Sequence, residues 1–233
     1  MHFFLCMRRP SCTVAYPDGN CGQWLTSPAA VNIQASIGMP MSISANNSKS
    51  LGMLGRFCEF ALEISGAYRL FALVSGSVIA WSAQVKTPSR LRMGSGSTIQ
   101  RGAIVHCGGK AWCDYGGYVR LGRGVVVGPY CTVYGAAGIE LADFVHLGPG
   151  VKLMSQSGRH DSKRLGPHPS YNLAPIRIGA GSWIGAGAVI LGGSRIGICV
   201  NVSPNSVVAG DIPDYAVVVG NPHRVVMKNE AIG

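Results

Sequence analysis

The sequence predicts an all-β solenoid, a chain wound into stacked coils, and two observations lead to this fold class. First, an aliphatic residue falls on every sixth position from residue 178 to residue 208: Ile178, Ile184, Ile190, Ile196, Val202 and Val208. This period fits neither a helix nor a simple strand, so the chain returns to the same face at each step. Second, glycine follows several of these residues, and a small residue lies four positions after most of them. Both patterns are typical of the corners of such a coil.

The six-residue step continues towards the N-terminus. Three further blocks keep it: Met93, Ile99 and Val105; Leu121, Val127 and Val133; Leu141, Leu147 and Leu153. The phase changes at residues 106–120, 139–141 and 154–177, where we expect the coil to bulge or to extend a loop. With three hexapeptides in each turn, the run from residue 85 to residue 212 predicts roughly six coils, enough for a continuous core.

The rest of the chain divides into segments of different composition. Residues 1–50 are rich in Ser, Asn, Gly and Pro without a sustained period. This composition predicts a disordered segment, or translation from a start codon upstream of the true one. We expect residues 51–84 to form an N-terminal helical cap, residues 85–212 to form the solenoid with a loop at 154–177, and residues 213–233 to form a C-terminal tail.

The helical segment carries an imperfect apolar stripe, formed by Leu51, Leu54, Phe57, Cys58, Leu62, Ile64, Leu70 and Leu73. This stripe fits two interpretations. The helix covers the open end of the solenoid, whose backbone edges are otherwise exposed, or it lies on a membrane surface. Because its polar face is not strongly basic, the cap is the favoured interpretation, and any membrane contact is expected to be peripheral.

Composition favours a solenoid over a helical bundle, because the 233 residues include 33 glycines and only 13% charged residues. The formal net charge is +10, and five basic residues against one acid lie between residues 152 and 177. This excess surrounds the predicted loop and favours a small anionic substrate. No nucleic-acid motif accompanies it, so we expect no nucleic-acid partner.

The spacing of the cysteines and the length of the apolar runs indicate whether the protein binds a metal and where in the cell it is found. The eight cysteines include no CxxC pair and no set with histidines at metal-ligand spacing, so we expect no bound metal. The apolar run at residues 70–81 is about half the length that a bilayer crossing requires. At the N-terminus the arginines follow the apolar stretch instead of preceding it, which argues against a secretory signal. These features predict reduced thiols and a cytoplasmic location.

Three stretches carry a resemblance to a known family: GIELADFVHLGPGVKLMSQSGRHD at 138–161, APIRIGAGSWIGAGAVILGGSRIG at 174–197 and SVVAGDIPDYAVVVGNPHRVV at 206–226. They resemble the hexapeptide-repeat acyltransferases, and within these the sugar O-acetyltransferases of maltose, galactosides and capsule or exopolysaccharide units. The resemblance covers about the last 140 of the 233 residues. It implies a left-handed parallel β-helix, acetyl-CoA as cosubstrate, a saccharide acceptor, and a homotrimer with active sites between subunits.

Acetyl transfer to a hydroxyl requires a base that takes the hydroxyl proton, and neutral imidazole titrates near the operating pH. His160 is the candidate catalytic base, because it lies at the start of the longest excursion and matches by resemblance the family's catalytic histidine. His168 lies in the middle of the same loop and is a candidate for acceptor binding. His146 precedes an aliphatic position and is expected to face outwards as a structural or subunit-contact residue. His106 and His223 are expected to be structural.

The resemblance also implies a cosubstrate cleft. The main-chain amides of Gly185 and Ala186 stand where the family stabilises the oxyanion, although both residues also fit ordinary coil corners. Trp183 precedes an aliphatic position, so it faces outwards, and by resemblance it flanks the pantetheine arm; a subunit-contact role fits it nearly as well. Arg224 matches the family's arginine after an Asn-Pro turn, where it meets a CoA phosphate. Tyr130 stands near the place of an acceptor-binding asparagine.

Two departures from the family pattern concern the ligands. Ala209 and Gly210 replace a Thr-Lys pair that contacts CoA, and Tyr130 replaces the asparagine. The second departure favours an acceptor other than the simple sugars of the maltose and galactoside enzymes. The group that orients His160 is left open between Asp161 and a backbone carbonyl.

Four other functions fit parts of the pattern. An N-acetyltransferase acting on an amino nucleotide-sugar uses the same cleft. A serine acetyltransferase fits less well, because its long helical N-terminal domain is not found. A γ-type carbonic anhydrase needs two closely spaced histidines on a coil, a spacing that His106, His146 and His160 lack. A non-catalytic solenoid scaffold leaves the SGRHD loop unexplained.

Overall fold

The computed structural model describes residues 53–108, 113, 116–158 and 171–228. In this part of the chain, two short α-helices precede a long succession of short strands. The helices are α1 (Met53–Ser65) and α2 (Tyr68–Val74), and a short 3-10 helix lies at Pro88–Arg90. The strands are, in chain order, β1 (Val78–Ile79), β2 (Gln84–Lys86), β3 (Leu91–Met93), β4 (Thr98–Ile99), β5 (Ile104–His106), β6 (Val119–Leu121), β7 (Val126–Val127), β8 (Thr132–Tyr134), β9 (Ile139–Leu141), β10 (His146–Leu147), β11 (Lys152–Met154), β12 (Gln156–Gly158), β13 (Tyr171–Leu173), β14 (Ile176–Ile178), β15 (Trp183–Ile184), β16 (Val189–Leu191), β17 (Arg195–Ile196), β18 (Asn201–Val202), β19 (Val207–Val208), β20 (Asp211–Ile212), β21 (Ala216–Val219) and β22 (Arg224–Lys228).

The strands form three parallel sheets that wind around one core. Sheet 1 contains β1, β4, β7, β10, β15, β18 and β21; sheet 2 contains β2, β5, β8, β11, β16 and β19; sheet 3 contains β3, β6, β9, β14, β17 and β20. The chain therefore passes from sheet 1 to sheet 2 to sheet 3 and back to sheet 1, with one coil for every three strands. Six such coils and the first strand of a seventh lie within the described residues. The predicted all-β solenoid of parallel strands is confirmed.

The six-residue step arises because each strand points an aliphatic side chain into the prism. Ile184, Ile190 and Ile196 succeed one another on sheets 1, 2 and 3, and all three are buried. Equivalent residues of neighbouring coils are paired in register, as Ile184 is with Leu147 and Val202. Each inward side chain therefore stacks on similar neighbours in the coils on either side, which buries a continuous apolar column.

The small residues of the repeat lie at corners, where stacked backbones approach closely. Between sheets 3 and 1, the Ser182 hydroxyl donates a hydrogen bond to the Gly197 carbonyl at 2.9 Å and accepts one from the Val200 amide at 3.1 Å. A Cβ atom on Gly179 would lie 2.5 Å from the backbone of Gly197. The distance between coils therefore excludes larger residues from the position of Gly179.

Two of the predicted interruptions have different structures. Strands β12 and β13 pair antiparallel between β11 and β14 and form an arm at the corner between sheets 2 and 3. The arm leaves the prism at Ser155 and returns at Ala174, whose amide donates to the Ser155 carbonyl at 3.0 Å. The phase change at 139–141 is neither the bulge nor the loop that was expected. Strand β9 buries both Ile139 and Leu141, so this side of the coil is simply longer.

The helices pack on the first coil. Tyr68 and Ala72 form the buried side of α2, which contacts β1. In α1, the Glu63 carboxylate accepts a hydrogen bond from the Thr87 amide at 2.8 Å and forms an ion pair with Lys86 at 3.1 Å. Within the described residues, neither helix has the length and apolar character needed to cross a membrane.

The solenoid begins earlier than expected. After α2, Gly76 adopts a positive φ of 71°, and β1 starts the first coil at Val78. Ile79 and Val85 are buried and keep the six-residue step. The next step, from Val85 to Met93, is eight residues long. Strand β3 buries the residues at both of its ends, Leu91 and Met93, as β9 does. This longer side separates the first coil from the regular pattern that the sequence shows.

The C-terminal boundary also differs from the expected one. Residues 216–219 form β21, which pairs in parallel with β18 and extends sheet 1. The chain then turns back, and β22 pairs antiparallel with β21 as the last strand of the sheet. Much of the expected tail at 213–233 is therefore part of the solenoid. Residues 1–50 lie outside the described residues.

We expect Ile190→Ala to lower the free energy of unfolding by about 2 to 5 kcal/mol, because it leaves a cavity in the apolar column. Leu191→Ala is the matched control. This neighbouring side chain points outwards and is 37% exposed, so its loss is expected to cost less than about 1 kcal/mol. Urea titrations followed by circular dichroism measure both values, and equal losses would contradict the inward and outward assignment.

Candidate active site

Sheet 1 carries a column of outward side chains that includes two residues singled out by the sequence. Trp183 on β15 lies beside His146 on β10 and Asn201 on β18. Val126 on β7 precedes His146 in the column, and Val217 on β21 follows Asn201. Because successive strands lie ~4.8 Å apart, the column runs along the axis of the solenoid.

The rings of His146 and Trp183 stack face to face. Their centroids are 5.4 Å apart and their planes differ by 13°. Trp183 is 52% exposed, and His146 is half-buried. Both face outwards as expected, but the sequence analysis missed the contact between them. The sequence did contain a signal for this contact. His146 directly precedes the inward Leu147, and Trp183 directly precedes the inward Ile184. When the residues of the arm are left out of the count, these two repeats fall in adjacent coils.

Within the described part of the chain, one backbone amide at the corner after Trp183 has no hydrogen bond. The Gly185 amide donates to the Val202 carbonyl at 2.7 Å, and a Cβ atom on Gly185 would lie 2.5 Å from the Pro204 nitrogen. Gly185 is therefore required by coil stacking, and its amide is not available as the oxyanion donor that the resemblance implied. The neighbouring Ala186 is exposed, and its amide has no hydrogen bond within the described residues. Ala186 is thus the one of the two that can donate to a ligand.

Tyr130 lies on the same edge of the prism, two coils before Ala186. Backbone hydrogen bonds of 2.9 Å link its corner to Gly150 and then Gly187 in the next two coils. Tyr130 has a positive φ of 58° and is 64% exposed. Its ring covers Gly102 of the preceding coil, where a Cβ atom would lie 2.5 Å from the ring. The phenol therefore sits on an exposed corner beside the column of sheet 1.

Arg224 lies at the far end of this edge. It begins β22, opposite Val219, and its side chain is exposed. From β15 the path crosses β18 and β21 to reach β22, three strand spacings or ~14 Å along the axis. Trp183, Ala186 and Arg224 therefore line one exposed edge, which suits an extended ligand with an anionic end.

His160 and His168 lie outside the described residues, between β12 and β13 in the sequence. The base of the arm is at the corner between sheets 2 and 3, whereas Ala186 is at the corner between sheets 1 and 2. The width of sheet 2, a strand of three residues or ~10 Å, separates the two corners within one chain. A site that uses both corners needs an arm that crosses sheet 2 or an arm from a neighbouring chain.

The remaining candidate groups do not form a second centre. His106 on sheet 2 contacts Tyr134 edge to face with ring centroids 5.8 Å apart, and burial holds the pKa of His106 below its ordinary value. Cys131 is buried at a corner, and burial raises the pKa of its thiol to about 11. His106 and His146 lie on different faces. In the described ranges, no group of three or more His, Cys, Asp or Glu side chains is arranged to hold a metal ion.

Sequence comparison finds relatives among acetyltransferases. No protein-family model matches the chain. A predicted acetyltransferase of Schizosaccharomyces pombe is 33% identical over 117 residues, which are 50% of this chain and 56% of that protein. A serine acetyltransferase of Synechococcus elongatus is 30% identical over 174 residues, which are 72% of this chain and 61% of that protein. The chain thus spans between half and two thirds of the length of these relatives.

Structure comparison identifies the fold. The N-acyltransferase AntD of Bacillus cereus, solved with dTDP and 3-hydroxybutyryl-CoA, superposes with a TM-score of 0.59. The superposition covers 66% of this chain and 81% of AntD, at 22% sequence identity. This similarity shows that the two chains share a β-helix fold. Together with the sequence relatives, it confirms the resemblance that the motifs predicted: the chain is related to the hexapeptide-repeat acyltransferases.

Proposed function

We propose that the protein is an acetyl-CoA-dependent O-acetyltransferase that modifies a saccharide hydroxyl, as a cytoplasmic enzyme of surface polysaccharide synthesis. The observation that carries this proposal is the exposed edge formed by Trp183, Ala186 and Arg224. Trp183 and Ala186 lie in one coil, where an apolar ring and a free amide suit a pantetheine arm and its thioester, and Arg224 lies three strands further along, where a cation suits the phosphates. The acetyltransferase relatives support transfer of an acetyl group.

The described residues offer a contact for each part of CoA. Trp183 offers an exposed indole face, against which the apolar part of a pantetheine arm can lie. Arg224 offers a guanidinium ~14 Å further along the axis, counted over three strand spacings, where it can pair with a phosphate. Asn201 lies between them on β18 and is exposed, so its amide can bind the polar groups of the arm.

The transfer forms a bond between the acceptor oxygen and the acetyl carbon and breaks the bond between that carbon and sulfur. In this proposal His160 takes the proton of the acceptor hydroxyl as its oxygen attacks, and returns a proton to the departing thiolate. The Ala186 amide donates to the carbonyl oxygen, where negative charge develops. Tyr130 and His168 contact the acceptor.

We infer that the working unit is a homotrimer of left-handed coils, as in the family that the motifs resemble. The interior of the prism is filled by buried aliphatic side chains, so a ligand as long as CoA must bind outside it. The arm and the corner of Ala186 are separated by the whole of sheet 2. In a threefold ring, the arm of one chain reaches the Trp183 face of the next, and each site then uses two chains.

A second candidate is an N-acetyltransferase acting on an amino nucleotide-sugar. The fold similarity to AntD favours it, because AntD has been solved with dTDP-4-amino-4,6-dideoxyglucose and Coenzyme A. The two functions differ in acceptor alone. A screen with radiolabelled acetyl-CoA against free sugars, nucleotide amino-sugars and L-serine separates them. Labelled product with a sugar hydroxyl supports the proposal, whereas product with only an amine, or with none of these acceptors, contradicts it.

We expect His160→Ala to lower kcat by about two to four orders of magnitude, the usual contribution of a positioned base, while the affinity for CoA changes little. His168→Ala is the matched control, since it lies in the same loop and is expected to raise the KM for the acceptor more than it lowers kcat. Steady-state kinetics and CoA titration by calorimetry measure these effects. Activity of His160→Ala within a few-fold of the parent would remove His160 from the mechanism.

We expect Arg224→Ala to raise the KM for acetyl-CoA more than it changes kcat, because a remote phosphate contact supplies uniform binding. Arg195→Ala removes the same charge from the exposed face of sheet 3 and should leave this KM unchanged. The measurement compares CoA with a form lacking the 3′-phosphate. If both forms bind the parent enzyme equally, Arg224 does not contact that phosphate.

We expect sedimentation equilibrium to give three times the mass of one chain, and chains with complementary defects to restore activity when mixed. His160→Ala chains keep an intact Trp183 face, and Trp183→Ala chains keep an intact arm, so a mixed trimer contains at least one complete site. Refolding the two variants together should therefore recover activity that neither has alone. A fully active monomer, or mixed trimers without recovered activity, would contradict a site shared between chains.

A further inference from the structure

The N-terminal end of the molecule exposes large apolar side chains. We call this surface the cap patch, and between 60% and 86% of each of its side chains is exposed. It consists of Phe57 and Phe60 on α1, Leu70, Leu73 and Val74 on α2, and Trp81 in the first coil. Soluble proteins rarely leave so many large apolar side chains in water at one end, so the cap patch indicates a binding surface.

Helix α2 is apolar on both of its sides. Tyr68 and Ala72, four residues apart, form the buried side. Leu70, Leu73 and Val74 lie on the opposite side of the helix, where they face solvent. A helix that only covered the end of the solenoid would carry polar residues on this outer side. The outer side of α2 is therefore suited to a second apolar surface.

The same end of the molecule is basic. Between residues 53 and 105 the sequence contains six basic residues and two acids, namely Arg56, Arg69, Lys86, Arg90, Arg92 and Arg101 against Glu59 and Glu63. Glu63 pairs with Lys86. Within the described residues, Arg69, Arg90, Arg92 and Arg101 form no ion pair. Basic residues are therefore in excess in the helices and the first two coils, at the same end of the molecule as the cap patch, and the surface that this end fits is negatively charged.

Arg69 connects the charged and apolar parts of this surface. Its guanidinium donates hydrogen bonds to the carbonyls of Trp81 at 3.1 Å and Ala83 at 2.9 Å, and lies 5.1 Å from the centre of the Trp81 ring. These contacts hold the indole of Trp81 next to a cation while most of the ring stays exposed. Such a pairing of an aromatic ring with a long cationic side chain is typical of proteins at a membrane interface.

We propose that the cap patch docks the protein on the surface of an anionic phospholipid bilayer. The apolar side chains of α1, α2 and Trp81 enter the boundary between headgroups and acyl chains, and the arginines at this end of the molecule bind lipid phosphates. A second copy of the chain fits less well, because contact through this end would bring two basic surfaces together. The proposal goes beyond the transfer reaction and does not depend on it.

The test is flotation of the full-length protein with vesicles of two compositions: phosphatidylcholine alone, and equal parts of phosphatidylcholine and phosphatidylglycerol. We expect binding to the anionic vesicles, a smaller bound fraction at high salt, and little binding to phosphatidylcholine alone. Replacement of Leu70, Leu73 and Val74 by Ser should lower the bound fraction about tenfold or more, since burial of apolar side chains supplies the anchoring. Leu191→Ser, an exposed leucine on sheet 2, is the matched control and should bind like the parent.

A second measurement uses the unmodified protein. Phosphatidylglycerol vesicles that contain brominated acyl chains should quench the fluorescence of Trp81, identified as the signal lost in Trp81→Phe. The proposal is overturned if the full-length protein binds neither vesicle, if it binds phosphatidylcholine equally well, or if the triple serine variant binds like Leu191→Ser. It is also overturned if the triple variant lowers the mass of the oligomer in solution, because a second copy then covers the patch. The acetyltransferase activity of the triple serine variant is measured separately in solution without vesicles. Its outcome tests the proposed function and not the docking on a membrane.

Discussion

Close stacking of successive coils is the constraint on which the rest of the structure depends. Strands lie ~4.8 Å apart, and at particular corner positions the backbone of one coil meets the next with no space for a side chain. A Cβ atom on Gly197 would lie 2.6 Å from the backbone nitrogen of Asp214. Small residues are therefore needed at these corners, while each strand needs an aliphatic residue that points inwards. The six-residue pattern of the sequence is the direct result.

The same constraint determines where chemistry can take place. Because the prism is filled, a site has to be assembled on the outside, from outward side chains of consecutive strands and from corner amides that stacking leaves free. Gly185 and Ala186 show the difference between neighbouring positions. The Gly185 amide is used to hold the next coil, whereas the Ala186 amide points to no acceptor in the described residues. Fixed donors of this kind require no reorganisation during the reaction.

A period in the sequence predicts the face on which a residue lies, but it does not predict the neighbour of that residue. The coils from Ile178 to Val208 were predicted from the sequence alone, as was the outward position of Trp183. The stacking of Trp183 on His146 was missed because the arm separates the two residues in sequence. Pairs of residues on adjacent strands can be predicted only when the length of every insertion between them is known. The first coil was missed for the same reason, since the longer strand β3 interrupts the step after Val85. The position of His160 rests on resemblance, because a loop outside the repeat carries no period.

The outward chemistry of the three sheets differs, and this difference supports an assembly of several chains. On sheet 3 the outward column is charged and reads Arg92, Arg120, Glu140, Arg177, Arg195 and Asp211. Glu140 accepts ion pairs from both Arg120 and Arg177, at 3.1 Å and 3.2 Å. The outward column of sheet 1 carries no Asp, Glu, Lys or Arg in the described residues and includes Val126, Trp183 and Val217. In a threefold ring each chain buries parts of two faces and leaves the third in water. The charged face of sheet 3 suits contact with solvent, and the uncharged face of sheet 1 suits contact with a neighbouring chain. The arm leaves the prism at the border of the charged face.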